Sequence, residues 1–256
     1  MAATGNTPLQ SRTALVTGAG VGIGQAAAIA LAKAGAKVAI HYRSSVEGAQ
    51  RTLDEVQKAG SDGLLIQADL TQPAEANEAV DACVRHFGSL DILFNNAGSP
   101  LRMAPLSECP FELWRQVFDV NVHSAFLVTQ RAIPALRASR RGAIINNLSL
   151  SVQTGGSGGA GAYAAAKGAL QVMTRTLAKE LAPHVRTNAI MPGVIETPHH
   201  TAFTSAEKME DYRRQTPLGR NGMAEEVAAA VVFLASDAAS FVNGAILDIN
   251  GGRFLR

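Results

Sequence analysis

The chain has 256 residues, 47% hydrophobic and only 5% aromatic, enough apolar side chain for the core of one large α/β unit. Its 23 lysines and arginines nearly match 21 acidic residues, and a net charge of +2 without a basic block excludes a nucleic-acid-binding reading. The polar start from Met1 to Gln10 lacks a signal core, the apolar run Val227 to Ala235 is too short to span a membrane, and Cys83 and Cys109 are isolated; a cytoplasmic protein with two unpaired thiols is expected.

Strand and helix signals alternate along the chain. Thr13 to Thr17 is a short apolar run closed by glycine, a buried strand. Gln25 to Ala34 is an Ala-rich helix stopped by Gly35, Lys37 to Tyr42 a second strand, and Val46 to Ala59 a polar-faced helix stopped by Gly60. Leu64 to Ile66 is a third strand, and Pro73 to Phe87 a helix with proline in its first turn and Gly88 after its end. Leu90 to Phe94 is a fourth strand. The long helical stretch Phe111 to Ser139 is expected to kink or break at Pro134. A fifth strand (Ala143 to Leu148), a strong helix (Ala162 to Leu181), a sixth strand (Val185 to Met191), a helix (Glu225 to Ala235) and a last strand (Ala245 to Ile249) complete the pattern. Alternation throughout means a doubly wound parallel sheet with helices on both faces, in a single domain. Gly155 to Gly161 is glycine-rich and reads equally as a mobile loop beside a site or as a spacer.

Two features carry chemistry. Thr17 to Gly24 (Thr-Gly-Ala-Gly-Val-Gly-Ile-Gly) lies between the first strand and a helix, where only glycine lets backbone amides approach a phosphate closely. Tyr163 and Lys167 stand four residues apart on one helix face; a lone pair at this spacing is usually just a surface pair, but the upstream turn and flanking alanines argue for a site. An ammonium beside a phenol favours phenolate, so Lys167 is expected to lower the Tyr163 pKa toward working pH, where it can give or take a proton. The adjacent His199 and His200 splay apart and are expected in a loop over the site; no metal site is expected.

Thr17 to Gly24, Asn95-Asn96-Ala97-Gly98, Tyr163-x-x-x-Lys167 and Pro192-Gly193 resemble, in order and spacing, the classical short-chain dehydrogenase/reductase family, over nearly the whole chain from Thr13 to Gly252. The resemblance implies a Rossmann-type domain with a seven-stranded parallel sheet, a loose segment over residues 1–11 and a substrate-loop region at about 192–222. It implies that Gly18, Gly20, Val21, Gly22, Ile23 and Gly24 surround the dinucleotide phosphates. Asp69 and Leu70 then meet the adenine, Asn95, Ala97 and Gly98 line the adenosine side, and Pro192, Gly193, Ile195 and Thr197 face the nicotinamide. Asn121 is implied to hold a water behind Lys167, and Tyr163 and Lys167 to be the catalytic pair. The family's polarising serine falls on Ser149, preferred over Ser151. The implied activity is NAD(P)-dependent reduction of a carbonyl or oxidation of an alcohol. A 3-oxoacyl thioester or small ketone, or a sugar or polyol with NAD, remain alternatives, as does a non-catalytic dinucleotide sensor, which needs no proton relay.

The end of the second strand bears on the cofactor. An NAD site usually has a carboxylate there for the ribose hydroxyls. Tyr42 takes that place, Arg43 follows, and Ser44 and Ser45 can add hydroxyl donors, so NADP(H) is expected over NAD(H). Val21, where NADP-preferring relatives often carry a basic residue, weakens the argument; if Arg43 is merely an exposed charge, both cofactors serve. Apolar and small residues on the two long helices, as in Phe126-Leu127-Val128 and Ala164-Ala165-Ala166, together with the resemblance, lead to an expected homotetramer, or a dimer through the helices alone.

Overall fold

The computed structural model describes residues 7–198 and 203–255. Seven parallel strands run in the order β3-β2-β1-β4-β5-β6-β9: β1 (Thr13–Val16), β2 (Lys37–Tyr42), β3 (Gly63–Gln67), β4 (Ile92–Asn95), β5 (Gly142–Asn147), β6 (Val185–Pro192) and β9 (Ile246–Ile249). The pair β7 (Ile195–Glu196) and β8 (Gly222–Met223) lies apart from it. Chain order reverses between β1 and β4, which opens a crevice at their carboxyl ends.

Period-two alternation divides the core. Ala14 and Val16 of β1 pack under α1 (Gly22–Lys33) and α2 (Val46–Lys58), while Leu15 between them faces α3 (Pro73–Phe87) on the other side. Helix α3 ends at Gly88, whose φ of 80° is the left-handed cap anticipated from its position. A helix at Ala224–Ala235 packs beside α1, and the long helices α5 (Ser124–Ser139) and α7 (Gly161–Glu180), which β5 and the single turn α6 (Ser151–Thr154) separate in the chain, cover the face that Leu15 enters.

Two expectations need correction. Pro134 neither breaks nor ends its helix: α5 runs through it to Ser139. The irregularity lies upstream, where α4 (Phe111–Phe118) passes into α5 through a π-turn at Asp119–His123. The fully buried Asn121 sits in that turn, and its Nδ2 takes the Val117 carbonyl four residues back, at 2.8 Å. The start of the chain is also tied down further than expected. Leu9 is fully buried and donates its N–H to Ala34 O at the end of α1, so residues 7–11 are not a loose segment. The stretch after β6 contributes β7, α8 (Ala206–Gln215) and β8, with α9 (Ala224–Ala235) following. Among the described residues no helix is long and apolar enough to cross a membrane.

Candidate active site

A cavity of about 630 Å³ opens over the crevice between β1 and β4. At one end the glycine turn leads into α1. Gly18 and Gly22 hold φ of 64° and 58°, which side chains other than glycine rarely adopt. A Cβ on Gly24 would stand 2.2 Å from the Gly18 carbonyl, so Gly24 lets the helix close on its own turn and does not itself line the cavity. Helix α1 begins with no capping side chain and no acidic residue in its first turn. Its opening amides are left for an anion, and the turn fits a dinucleotide pyrophosphate.

The turn is braced from behind. Thr17 Oγ1 accepts the N–H groups of Asn96 and Ala97 at 2.9 and 3.0 Å. Asn96 Nδ2 donates to the carbonyls of Thr17 and Gly18. His41 accepts the Gly18 N–H on Nδ1 at 3.1 Å, leaving Nε2–H to donate to Ala68 O at 3.0 Å. Burial holds this imidazole below its ordinary pKa, so the neutral tautomer needed for both bonds is favoured. Tyr42, Arg43, Ser44, Asp69 and Leu70 line the same end. Burial opposes ionisation of Asp69, but bonds from Thr71 and the nearby charges of Arg43 and His41 hold its carboxyl below the usual range.

The family-implied place of Asn95 is not where the chain puts it. Its side chain leaves the opposite face of the sheet, donating to Thr129 Oγ1 at 2.8 Å and Asn146 Oδ1 at 2.9 Å, and lies outside the cavity. Strand alternation gives the cavity to the next residue, Asn96, which also accepts a bond from Asn147 Nδ2. Ala97 and Gly98 line the wall as expected.

Ser149, Tyr163 and Lys167 meet on the cavity wall. β5 ends at Asn147, and Ser149 follows; α7 supplies Tyr163 and Lys167. Ser149 and Tyr163 are joined by a side-chain hydrogen bond. Ser151 Oγ is buried without a hydrogen-bond partner, and its N–H donates to Ser149 Oγ at 3.2 Å, so Ser149 is the hydroxyl facing the phenol. Lys167 Nζ lies 5.6 Å from the centroid of the Tyr163 ring and donates to Asn147 O at 2.8 Å. A Cβ on Gly98 would come within 2.9 Å of Lys167 Nζ and 2.5 Å of Asn121 Oδ1, so both groups close on this glycine. Asn121 itself stands behind the wall, accepting the Ser99 N–H and donating to the Ser99 carbonyl.

Charge at this centre runs against the expectation of a depressed phenol. Burial pushes the Tyr163 pKa up to about 12, opposed by the bond from Ser149, and burial pulls Lys167 down to about 7. Desolvation of each charged form outweighs the attraction between them.

Pro192, Gly193, Ile195 and Thr197 line the far wall. Sequence reasoning missed His41 and Asn96 at the turn, and Tyr212 and Arg253 at the opposite end, while Ser45 lines the cavity beside Ser44 as a hydroxyl donor there should. Asn96 alone had an available signal, the alternation of side chains along β4. His199 and His200 lie outside the described residues, and among the described residues no group of His, Cys, Asp or Glu is arranged to hold a metal. Cys83 and Cys109 are free, and burial raises the Cys83 thiol to about 12.

A phosphate-binding turn at the sheet's switch point, with a hydroxyl, a phenol and an amine facing the same cavity, defines a dinucleotide-dependent oxidoreductase. A family model described as enoyl-(acyl carrier protein) reductase matches residues 18–253. An uncharacterised oxidoreductase of Methylorubrum extorquens is 40% identical, over 95% of this chain and 98% of its own. A 3-oxoacyl-[acyl-carrier-protein] reductase of Staphylococcus aureus is 37% identical, over 96% and 99%. Among solved structures, a 7α-hydroxysteroid dehydrogenase complexed with NADH and 7-oxoglycochenodeoxycholic acid is 32% identical with a TM-score of 0.91, covering 98% of each chain. A short-chain dehydrogenase of Burkholderia cenocepacia in complex with NADP is 34% identical with a TM-score of 0.89, covering 96% of this chain and 99% of that one. The chain belongs to the classical short-chain dehydrogenase/reductase family and is an oxidoreductase acting between an alcohol and a carbonyl.

Proposed function

We propose that this enzyme reduces a carbonyl to an alcohol, or runs the reverse, with NADP(H) preferred over NAD(H) and Tyr163 as the acid–base group. The observation that carries this reading is the Ser149–Tyr163 hydrogen bond beside Lys167 on the cavity wall. A bound nicotinamide supplies or accepts the hydride. Ser149 and Tyr163 hold the carbonyl oxygen, and Tyr163 Oη gives it the proton. Lys167 Nζ binds the ribose hydroxyls and stabilises the phenolate left on Tyr163. Asn121, its amide held by Ser99 and Val117, keeps the path from Lys167 to solvent open through water.

The cofactor preference rests on the end of β2. Tyr42 stands where a ribose-binding carboxylate would, and the exposed Arg43 lines the cavity with Ser44 and Ser45. A guanidinium there meets a 2′-phosphate through parallel bonds, while Asp69 moderates its charge. Arg43→Ala is expected to raise KM for NADPH roughly tenfold or more and KM for NADH far less. Equal effects, or a wild-type preference for NADH in kcat/KM, would assign the enzyme to NAD. The substrate class is best sought with a panel of 3-oxoacyl thioesters, small ketones and polyols, each scored with both cofactors.

A further inference from the structure

The cavity carries one cation that this reaction scheme leaves without a task. Among the described residues, the charged side chains lining the cavity are Arg43 and Asp69 at the nucleotide end, Lys167 at the centre, and Arg253. Arg253 follows Gly251 and Gly252, whose φ values of 63° and 82° turn the chain back after β9. Its guanidinium lies over the Tyr212 ring, 4.3 Å from the centroid. Nη1 donates to the Tyr212 carbonyl at 3.3 Å and Nη2 to Gln215 Oε1 at 3.1 Å.

Both acceptors are neutral. The contrast with its neighbours is direct: Arg213 and Arg214 on α8 are paired with Glu210 and Asp211, and Arg220 with Glu226, whereas no carboxylate pairs with Arg253 among the described residues. Stacking and the two bonds fix the plane of the guanidinium, and the remaining N–H groups keep their donor capacity. Tyr212 Oη meets Ser157 Oγ at 3.3 Å, which draws the glycine-rich loop to the same end. Leu101, Met103 and Leu150 add apolar lining to the same cavity. A half-buried planar cation, pre-oriented and short of an anion, suits a carboxylate held bidentately.

We propose that Arg253 is the anchor for a carboxylate on the substrate, so that the compound reduced is an oxo acid and the product a hydroxy acid. This rests on the carbonyl-reductase reading. It favours a small acid over an acyl chain delivered by a carrier protein, because the cation lines the cavity and is not displayed on an exposed patch.

The test compares linear oxo acids with their methyl esters, and hexanoate with hexanamide as unreactive probes. The wild-type enzyme is expected to prefer the acid over its ester by about tenfold or more in kcat/KM, mainly through KM. Arg253→Met, which keeps an apolar stem on Tyr212, should collapse that ratio toward one, and Arg253→Lys should restore part of it. By calorimetry in the presence of NADP⁺, hexanoate should bind more tightly than hexanamide, and Arg253→Met should remove the difference. An ester used as well as its acid, an acid preference that survives in Arg253→Met, or equal binding of hexanoate and hexanamide overturns the proposal. A protein that reduces no carbonyl yet binds hexanoate selectively through Arg253 refutes the reductase reading and keeps the anchor.

Discussion

Lys167 is almost fully buried, and among the described residues the Asn147 carbonyl alone accepts a bond from its ammonium, so the folded chain gives up that proton more readily than the unfolded one. The sign follows. A folded-state pKa of about 7 against an ordinary 10.5 leaves stability intact above the higher value and removes it as pH falls toward the lower. Lys167→Met is therefore expected to raise Tm by a few degrees at neutral pH while activity is lost, with the gain shrinking as pH rises toward about 9. A variant that melts below wild type at neutral pH would show that Lys167 stabilises the fold. At this scale the sequence was legible where spacing carries the information. Tyr163 and Lys167 at i and i+4 do reach one place, and Ser149, not Ser151, meets the phenol. The direction of the tyrosine shift was not legible, because it depends on how much water the packed site excludes. Asn95 was misplaced because motif matching ignores which face of a strand a residue leaves from.

Elements were read more securely than single side chains, since glycine and proline punctuate them by mechanism. Pro73 and Gly88 bracket α3, and Gly35 follows the end of α1 with a φ of 99°. The long helical stretch is legible at its full length, but the π-turn within it is not. Pro134 lies within α5 and leaves it intact, whereas the π-turn at Asp119–His123 has no proline or glycine to announce it. What accompanies it is tertiary: Asn121 bonds both the N–H and the carbonyl of Ser99, and a Cβ on Gly98 would come within 2.5 Å of its Oδ1. The short β7–β8 pair and the tucked Leu9 escaped notice for a similar reason, since long-range contacts and not local periodicity hold them.

At the scale of the whole molecule, the two long helices and the end of the sheet present apolar surface to solvent. Val128, Ala164 and Ala166 turn inward as core, so only part of the run seen in the sequence is available to a partner. Phe126 and Val172 are 47% and 62% exposed on α5 and α7, and Phe241 and Leu247 are exposed near β9. Two separate patches fit two different two-fold contacts, and the expected assembly is a homotetramer. Light scattering at micromolar concentration should return four times the chain mass; a dimer would restrict association to the helices, and a monomer would remove both contacts. The claim on which everything else depends is that Tyr163 moves the proton in a nicotinamide-dependent reaction. Single-turnover and steady-state kinetics of Tyr163→Phe, alongside nucleotide binding, test it most directly. Folding and nucleotide affinity should be unchanged and kcat lowered roughly a hundredfold or more; near-normal turnover in that variant would remove Tyr163 from the proton transfer.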